Sequence, residues 1–127
     1  AMRQEDIQLH GHAIEVRINA EDWEHGFAPF PGVIAMYVAP SGRGVRVDSH
    51  CYAGYRIPTN YDSMIGKLIV HGKDRQEATR ILEQALDEYI IEGVKTTIGF
   101  HQRLIRDARF VNGDYTTRFC DEEFLRG

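Results

Sequence analysis

The hydrophobic pattern of the chain changes once, near residue 72, and this change limits the folds that the chain can adopt. Before it, residues 11–20 (GHAIEVRINA) and 45–49 (VRVDS) alternate between apolar and polar, and residues 64–72 (MIGKLIVHG) form another strand-like segment. After it, apolar residues recur at spacings of three and four, which is typical of amphipathic helices. Strands followed by two to three C-terminal helices, the last near residues 117–125, predict an α+β fold with a mainly antiparallel β-sheet.

One face of the first predicted strand is polar. In an extended chain this face carries Ala13, Glu15, Arg17, Asn19 and Glu21. The opposite, apolar face carries Ile14, Val16, Ile18 and Ala20. A carboxylate, a guanidinium and an amide in one row fit either an ordinary solvent-exposed face or the wall of an anion site.

The segments that follow predict a loop and then a hairpin. Residues 21–32 (EDWEHGFAPFPG) contain two prolines and two glycines, which predicts a loop. Its aromatic side chains, Trp23, Phe27 and Phe30, are expected to fold back onto the core. Residues 33–38 (VIAMYV) are rich in strand formers, and the turn-forming PSGRG joins them to residues 45–49, which predicts a β-hairpin.

The first predicted helix begins at a D-x-x-E capping box, formed by Asp74 and Glu77, and ends near Gly93. Its buried stripe consists of Ala78, Ile81, Leu82, Ala85, Leu86 and Tyr89. Thr96 or Thr97 is expected to cap the second helix. The apolar face of that helix consists of Ile98, Leu104, Ile105 and Ala108.

Size, charge and cysteine usage exclude several classes of protein. The 127 residues suffice for one domain with its own core, and 43% hydrophobic with 27% charged residues is typical of a globular fold. A net charge of −4 gives no electrostatic attraction to nucleic acid or to an anionic membrane, and no apolar run reaches the roughly 20 residues of a membrane span. Cys51 and Cys120 form no C-x-x-C motif, which indicates reduced thiols in a cytoplasmic protein. His10 and His12 lack a third ligand at a familiar spacing, so no metal site is predicted.

Arg17 is the strongest candidate for a functional side chain. Its guanidinium stays charged and presents a planar fork of donors to a carboxylate, phosphate or bicarbonate, and a strand would hold it in place. The alternative is a weak surface ion pair with Glu15. Asp62 fits either a turn acceptor or a partner that holds an arginine, and Lys67 fits either a solvent-exposed lysine or a phosphate contact.

Several segments together closely resemble one protein family. They are GHAIEVRINAED (11–22), FPGVIAMY (30–37), YAGYRIPTNYDSMIGKLIVHG (52–72) and DRQEATRILEQALDEYIIEGVKTTIGFHQRLI (74–105). In this order they are similar to the C-terminal domain of biotin carboxylase, the ATP-grasp component of acetyl-CoA, propionyl-CoA and pyruvate carboxylases. The similarity runs from about Gly11 to Phe124.

The resemblance implies a reaction and assigns roles in it. Biotin carboxylases use ATP, Mg²⁺ and bicarbonate to make carboxyphosphate, and then carboxylate N1′ of a biotin held on a carrier protein or domain. The position of Arg17 matches the arginine that contacts bicarbonate and biotin and stabilises the enolate form of the ureido group. Asp62 matches the acidic residue that pairs with this arginine and orients it, and Tyr61 lies beside it at the substrate site.

The same resemblance implies an assembly. Arg46 matches an arginine at the homodimer interface of the full enzyme, and Arg43 lies near it. Thr117 falls near the edge of the adenine pocket.

Other parts of the family's active site are absent from this sequence. The glycine-rich phosphate loop, the magnesium-binding Glu and Asn and the R-x-Q-x-E-H stretch belong to a preceding ATP-grasp segment, and no M-K-M biotin attachment site is present. Ala1 before Met2 is typical of a residue left by cloning, so the chain is interpreted as a piece of a longer polypeptide whose upstream ATP-grasp domain is a partner. Residues 1–127 are expected to fold as one domain, but neither to bind ATP tightly nor to carboxylate biotin alone.

Two other functions stay open on the sequence. One is a non-catalytic binding or dimerisation module that reuses the fold. The other is an ATP-grasp enzyme that carboxylates a purine precursor, although YDSMIGKLI (61–69) favours the biotin branch.

Overall fold

The alternating segments form strands, and the segments of helical period form helices that cover one side of the main sheet. A computed structural model of the chain describes residues 7–10, 12–58 and 63–107. Within these residues the strands are β1 (Ile7–His10), β2 (Ala13–Asn19), β3 (Glu21–Asp22), β4 (Ala28–Pro29), β5 (Gly32–Val33), β6 (Met36–Val38), β7 (Val45–Ser49), β8 (Arg56–Ile57), β9 (Met64–His71) and β10 (Ile90–Glu92). The helices are the short 3-10 helix Trp23–His25, α1 (Arg75–Glu88) and α2 (Ile98–Arg106).

The largest sheet joins four strands in the order β1-β2-β9-β7, and each neighbouring pair is antiparallel. Arg17 of β2 lies opposite Lys67 of β9, which lies opposite Asp48 of β7. The register between β2 and β9 shifts between Ile18 and Asn19. Three two-stranded pairs complete the described strands: β3 with β4, β5 with β8, and β6 with β10. The prediction of an α+β fold with a mainly antiparallel sheet is confirmed.

The core lies between the main sheet and the two α-helices. From the sheet it takes Ile14, Val16, Ile18, Ile65, Leu68 and Val70, and from the helices Ala78, Leu82, Ala85, Leu86, Ile98, Phe100, Leu104 and Ile105. Each fully buried isoleucine, leucine or phenylalanine contributes about 1.5–3 kcal/mol relative to an exposed one. Neither α-helix in the described ranges has the length and apolar character that a membrane crossing requires.

The start of α1 agrees with the predicted cap, with one difference. Asp74 accepts a hydrogen bond from the backbone N–H of Glu77 at 2.7 Å, as an N-cap residue should. The Glu77 carboxylate, however, accepts from the N–H of Lys73 at 2.7 Å, one residue before the cap. Both end groups are therefore satisfied by side chains, although the reciprocal bond is shifted by one residue. Of the predicted stripe, only Ile81 is half-buried rather than buried.

The predicted hairpin between residues 33–38 and 45–49 is wrong. β6 pairs with β10, and β7 pairs with β9. In the second pairing Val45 and Val47 lie opposite the buried Val70 and Leu68, so β7 extends the apolar face of the main sheet. The turn-forming residues 40–44 therefore connect two separate sheets, because long-range burial outweighs the local turn preference.

Two element boundaries also differ from the sequence prediction. The segment 33–38 is not one strand, because β5 ends at Val33 and β6 begins at Met36. α1 ends at Glu88 and is followed by β10, whereas the sequence predicts a helix that continues almost to Gly93. Gly93 has a φ of +103°, and a Cβ there would collide with the carbonyl oxygen of Val33, so this close approach requires glycine. Ala108 and the predicted helix near 117–125 lie outside the described residues.

The aromatic residues of the 21–32 loop pack onto the core, as expected. Trp23, Phe27 and Phe30 are partly buried against it. The rings of Trp23 and Phe27 lie 5.9 and 5.2 Å from the ring of Phe100 in α2, measured between centroids. These contacts hold the first turn of α2 beside the end of β2.

Candidate functional site

The side of the main sheet that faces away from α1 and α2 carries the candidate site. We call it the open face and define it by Glu15, Arg17, Arg46, Asp48 and Lys67. Their strand positions alternate with buried residues in β2 and β9 and with the half-buried Val45 and Val47 in β7. Residues directly opposite each other in antiparallel strands point to the same face. Arg17, Lys67 and Asp48 therefore form one row across three strands.

Two cations are neighbours in this row. Arg17 and Lys67 are opposite each other and both are half-buried. Directly opposite like charges in a sheet repel each other, and they create a positive potential where an anion would be favoured. Lys67 forms no ion pair with any residue that the structure describes. In this row two positive charges therefore lie opposite each other and repel each other.

The carboxylate at the end of the row is engaged elsewhere. Asp48 receives two hydrogen bonds from Arg46, from Nε and Nη2, each at 3.0 Å. This bidentate pair lies on the surface, and its hydrogen bonds raise the pKa of the Arg46 guanidinium above its ordinary value. On the open face the β7 edge is therefore neutralised, and Arg17 with Lys67 forms a positive pair on β2 and β9, with Glu15 two residues before Arg17 on the same face.

Arg17 does not form the ion pair with Glu15 that the sequence leaves open. Among the residues that the structure describes, no hydrogen bond or ion pair joins the two side chains. The Nε atom of Arg17 is buried and has no hydrogen-bond partner within the described ranges. A buried, unsatisfied donor costs roughly 1–3 kcal/mol, more when it is charged, so a site that retains one is suited to an acceptor brought by a ligand or by another segment.

Residues at the start of α2 form hydrogen bonds with the backbone of β2 at and near Arg17. His101 places Nε2 2.8 Å from the carbonyl oxygen of Arg17. Two residues further along, the N–H of Asn19 donates to Thr97 Oγ1 at 2.9 Å, and the N–H of Thr97 donates to the carbonyl of Asn19 at 3.0 Å. These three bonds occur where the β2–β9 register shifts, so the helix supports β2 where the sheet ladder is irregular.

A second polar cluster anchors the start of β9. The carboxylate of Glu21 lies 3.3 Å from Ser63 Oγ, which donates to it, and 3.4 Å from Asn19 Nδ2. The N–H of Ala20 donates to the carbonyl of Ser63 at 2.8 Å. Ser63 follows Asp62 directly in the chain, so the cluster lies next to Asp62 in sequence.

Other predicted site residues fall in two groups. Tyr61, Asp62 and Thr117 lie outside the described residues. Arg43 and Arg46 are both exposed near β7, which is an edge strand. Arg43 lines a shallow cavity of about 150 Å³ against α1, whereas Arg46 lies on the open face, so the two arginines border different surfaces.

Metal-binding groups and reactive thiols are two further kinds of site to consider in the described part of the chain. It contains no group of three or more His, Cys, Asp or Glu side chains arranged to hold a metal ion. Cys51 is buried and unbridged, and burial raises the pKa of its thiol, which makes it a poor nucleophile. Cys120 lies outside the described residues.

Sequence reasoning missed His101, Thr97 as a partner of β2, and Glu21 as an anchor of β9. The helical period includes Ile98, Leu104 and Ile105 but gives a histidine no special weight. His101 lies four residues after Thr97, on the same helix face, and this spacing is the only local signal that could have linked the two. Their common partner is more than 75 residues away in the chain, as the separations of 84 and 78 residues for their bonds to β2 show.

Comparison with known proteins identifies the family. The family model described as "Biotin carboxylase C-terminal domain" matches residues 15–122. The chain is 50% identical over 127 residues to biotin carboxylase 1 of Bacillus subtilis, covering 100% of this chain and 28% of that protein. It is 52% identical over 121 residues to the biotin carboxylase of a Nostoc species, covering 95% of this chain and 27% of that protein.

A solved structure agrees in fold. It is the biotin carboxylase domain dimer of the 2-oxoglutarate carboxylase of Hydrogenobacter thermophilus, in complex with MgADP, ADP and bicarbonate. The two share 45% sequence identity with a TM-score of 0.84, over 94% of this chain and 26% of the other. The chain spans about a quarter of the length of the relatives it matches. It belongs to the biotin carboxylase C-terminal domain family.

Proposed function

We propose that this domain contributes Arg17 to an ATP-dependent biotin carboxylase, where its guanidinium stabilises the charge that develops on the ureido oxygen of biotin. The observation that carries the proposal is the buried Nε of Arg17 on β2, which lacks an acceptor in the described residues and lies opposite Lys67 of β9. Preorganised donors of this kind stabilise an oxyanion without having to reorganise during the reaction.

The chemistry of these residues fits an anionic substrate. When N1′ of biotin loses its proton, negative charge moves onto the ureido oxygen, and a planar guanidinium can donate to it. Lys67, directly opposite, raises the local positive potential for that oxygen or for bicarbonate. Bicarbonate would supply the carboxyl group, and ATP with Mg²⁺ would supply the phosphoryl group that activates it as carboxyphosphate, with ADP as the leaving group. Apart from Thr117, proposed near the edge of the adenine pocket, the residues that would hold ATP and Mg²⁺ belong to the ATP-grasp domain. Asp62, with Tyr61 beside it, is the proposed partner that holds Arg17 when no substrate is bound.

The partners follow from the same assignment. They are the ATP-grasp domain, the biotin carrier protein or domain, and a second copy of the enzyme that meets this domain near Arg43 and Arg46. The similar Hydrogenobacter protein is described as a domain dimer with bound MgADP and bicarbonate, which supports this assembly. The isolated 127 residues are proposed to be inactive.

The test is the substitution Arg17→Ala in the full-length protein that carries this domain. We expect carboxylation of free biotin to fall by about 10²-fold or more, because one oxyanion donor is worth about that much. Arg17→Lys keeps the charge and loses the fork, and it should restore only part of the rate. Arg80→Ala, which removes an exposed arginine on α1, is the matched control and should leave the rate unchanged.

The outcome separates the proposal from its rival. A non-catalytic binding or dimerisation module predicts that the full-length protein has no biotin carboxylation to lose. A change confined to the unfolding temperature, with an unchanged rate for Arg17→Ala, would contradict the role of Arg17 as well.

A further inference from the structure

We propose that His101 is a positioning residue for Arg17: its imidazole holds the Arg17 carbonyl and so sets the place from which the guanidinium reaches the substrate. The inference rests on the proposed function, because it assigns a second residue to the same site. His101 itself touches neither the open face nor the substrate, and it acts through the backbone of β2.

The contact is direct, and the imidazole that makes it is buried. His101 is 2% exposed, and its Nε2 lies 2.8 Å from the carbonyl oxygen of Arg17. A carbonyl oxygen only accepts hydrogen bonds, so the proton of this bond belongs to Nε2 of the imidazole. The bond is partly buried, so breaking it would remove the protein partner of the Arg17 carbonyl at a position where water has limited access.

The bond lies where the sheet itself holds β2 least regularly. The β2–β9 register shifts immediately after Ile18, one residue beyond Arg17. From there Thr97 takes over both backbone groups of Asn19. His101 and Thr97 lie one helical turn apart. Their hydrogen bonds to Arg17 and Asn19 therefore connect α2 to β2 on both sides of the register shift.

The position of the Arg17 backbone matters because the side chain above it has little freedom to compensate. Its Nε is buried, so the guanidinium extends from an enclosed stem rather than from a mobile surface chain. A displacement of about 1 Å at a catalytic group lowers a rate by up to about 10²-fold. A residue that fixes the carbonyl of Arg17 therefore affects the reaction without touching it.

The imidazole of His101 also packs against the ring of Phe100, with centroids 5.3 Å apart, so the substitutions that test it must keep buried bulk at this position. Phe100, the preceding residue, already anchors α2 through its ring contacts with Trp23 and Phe27. A leucine at position 101 would fill similar volume and keep the buried surface. What a leucine cannot supply is the donor to Arg17.

The experiment compares three substitutions in the full-length protein. His101→Leu removes the donor, His101→Gln places an amide N–H₂ near the position of Nε2, and His101→Asn places it about one bond short. We expect kcat for biotin carboxylation to fall about 10-fold in the leucine and asparagine variants, with the glutamine variant within about 3-fold of wild type. KM for ATP should stay unchanged, because Arg17 is not assigned to ATP. Equal rates for the glutamine and asparagine variants would overturn the inference, and this comparison holds even if the leucine variant does not fold.

A double-substitution cycle with Arg17→Ala separates positioning from general stability. If His101 acts through Arg17, His101→Asn should have no further effect on kcat once Arg17 is alanine. An equal loss in both backgrounds would show a merely structural role and overturn the inference. If Arg17→Ala lowers kcat while none of the His101 variants does, only this inference fails. A wild-type protein that does not carboxylate biotin overturns the proposed function together with this inference.

Discussion

The arginines of this domain divide by what holds their guanidinium groups. Arg46 is bound by Asp48, and Arg106 by Glu83 and Asp87 at 3.0 and 2.9 Å. The hydrogen bonds to these carboxylates raise the pKa of both groups, and such pairs lie on the surface, where they add little stability. Arg17 differs, because its Nε is buried without an acceptor among the described residues. This buried guanidinium donor, which finds no acceptor among the described residues, is the one that the proposed chemistry uses.

Thr97 shows how a single hydroxyl supports this site. Its side chain is fully buried, and Oγ1 accepts from the N–H of Asn19. Thr97→Val keeps the shape but leaves that N–H unsatisfied, so we expect the free energy of unfolding to fall by about 1–3 kcal/mol. Urea denaturation of the isolated domain, followed by circular dichroism, measures this change.

The neighbouring threonine supplies the control. Thr96 Oγ1 accepts from the N–H of Ile98 at 3.3 Å and is only partly buried, so Thr96→Val should cost about 1 kcal/mol or less. A larger loss for Thr96→Val than for Thr97→Val would show that the hydroxyl of Thr97 is not what ties α2 to β2.

At the level of elements, the sequence pattern predicted the strands and helices whose position depends on burial of one apolar face. β2, β9, α1 and α2 lie where alternation and helical period placed them, because each buries one apolar face whatever its partners are. The hairpin prediction failed because the partner of β7 is chosen by the distant Leu68 and Val70, not by the turn before it. The role of His101 could not be predicted for the same reason, since its partner in β2 is 84 residues away. Arg17 stood out from its residue type and its strand position, but its environment required the fold.

The cap of α1 provides a test at this scale. Asp74 accepts from the N–H of Glu77, and its negative charge also lies at the positive end of the helix dipole. Asp74→Ala should lower the free energy of unfolding by about 1 kcal/mol, within the usual range of about 0.5–2 kcal/mol for N-caps. Thermal and urea unfolding check this, with the exposed Gln76→Ala in the same first turn as control. An unchanged stability for Asp74→Ala would mean that water replaces the cap without cost.

On the scale of the whole molecule, the main sheet has two different faces. One is covered by α1 and α2 and forms the core, and the open face carries charged residues from three strands. Arg17 and Lys67 are proposed to meet the substrate, and the β7 edge with Arg46 is proposed to meet the second copy of the enzyme. A single sheet surface would thus place an active-site arginine and a dimer contact two strands apart.

This arrangement predicts that charge reversal at the β7 edge weakens the dimer. In the full-length protein, Arg46→Glu breaks the pair with Asp48 and puts two like charges side by side. We expect the dissociation constant of the homodimer to rise at least about 10-fold, equivalent to about 1.4 kcal/mol. Sedimentation velocity over a range of concentrations measures it, with Arg80→Glu on α1 as the control of equal charge change. Equal dissociation constants for the two variants would remove Arg46 from the interface.

The last prediction concerns the domain on its own. The described residues form one hydrophobic core, but the 127-residue sequence contains no glycine-rich phosphate loop and no biotin attachment motif. We therefore expect the isolated chain to unfold cooperatively yet to show no bicarbonate-dependent hydrolysis of ATP. The assay measures phosphate release with and without bicarbonate and biotin, and the full-length protein serves as the positive control. Hydrolysis that requires bicarbonate and survives in the isolated chain, but disappears with Arg17→Ala, would mean that this domain carries an ATP site of its own. ATP hydrolysis could then no longer be assigned to the ATP-grasp domain alone.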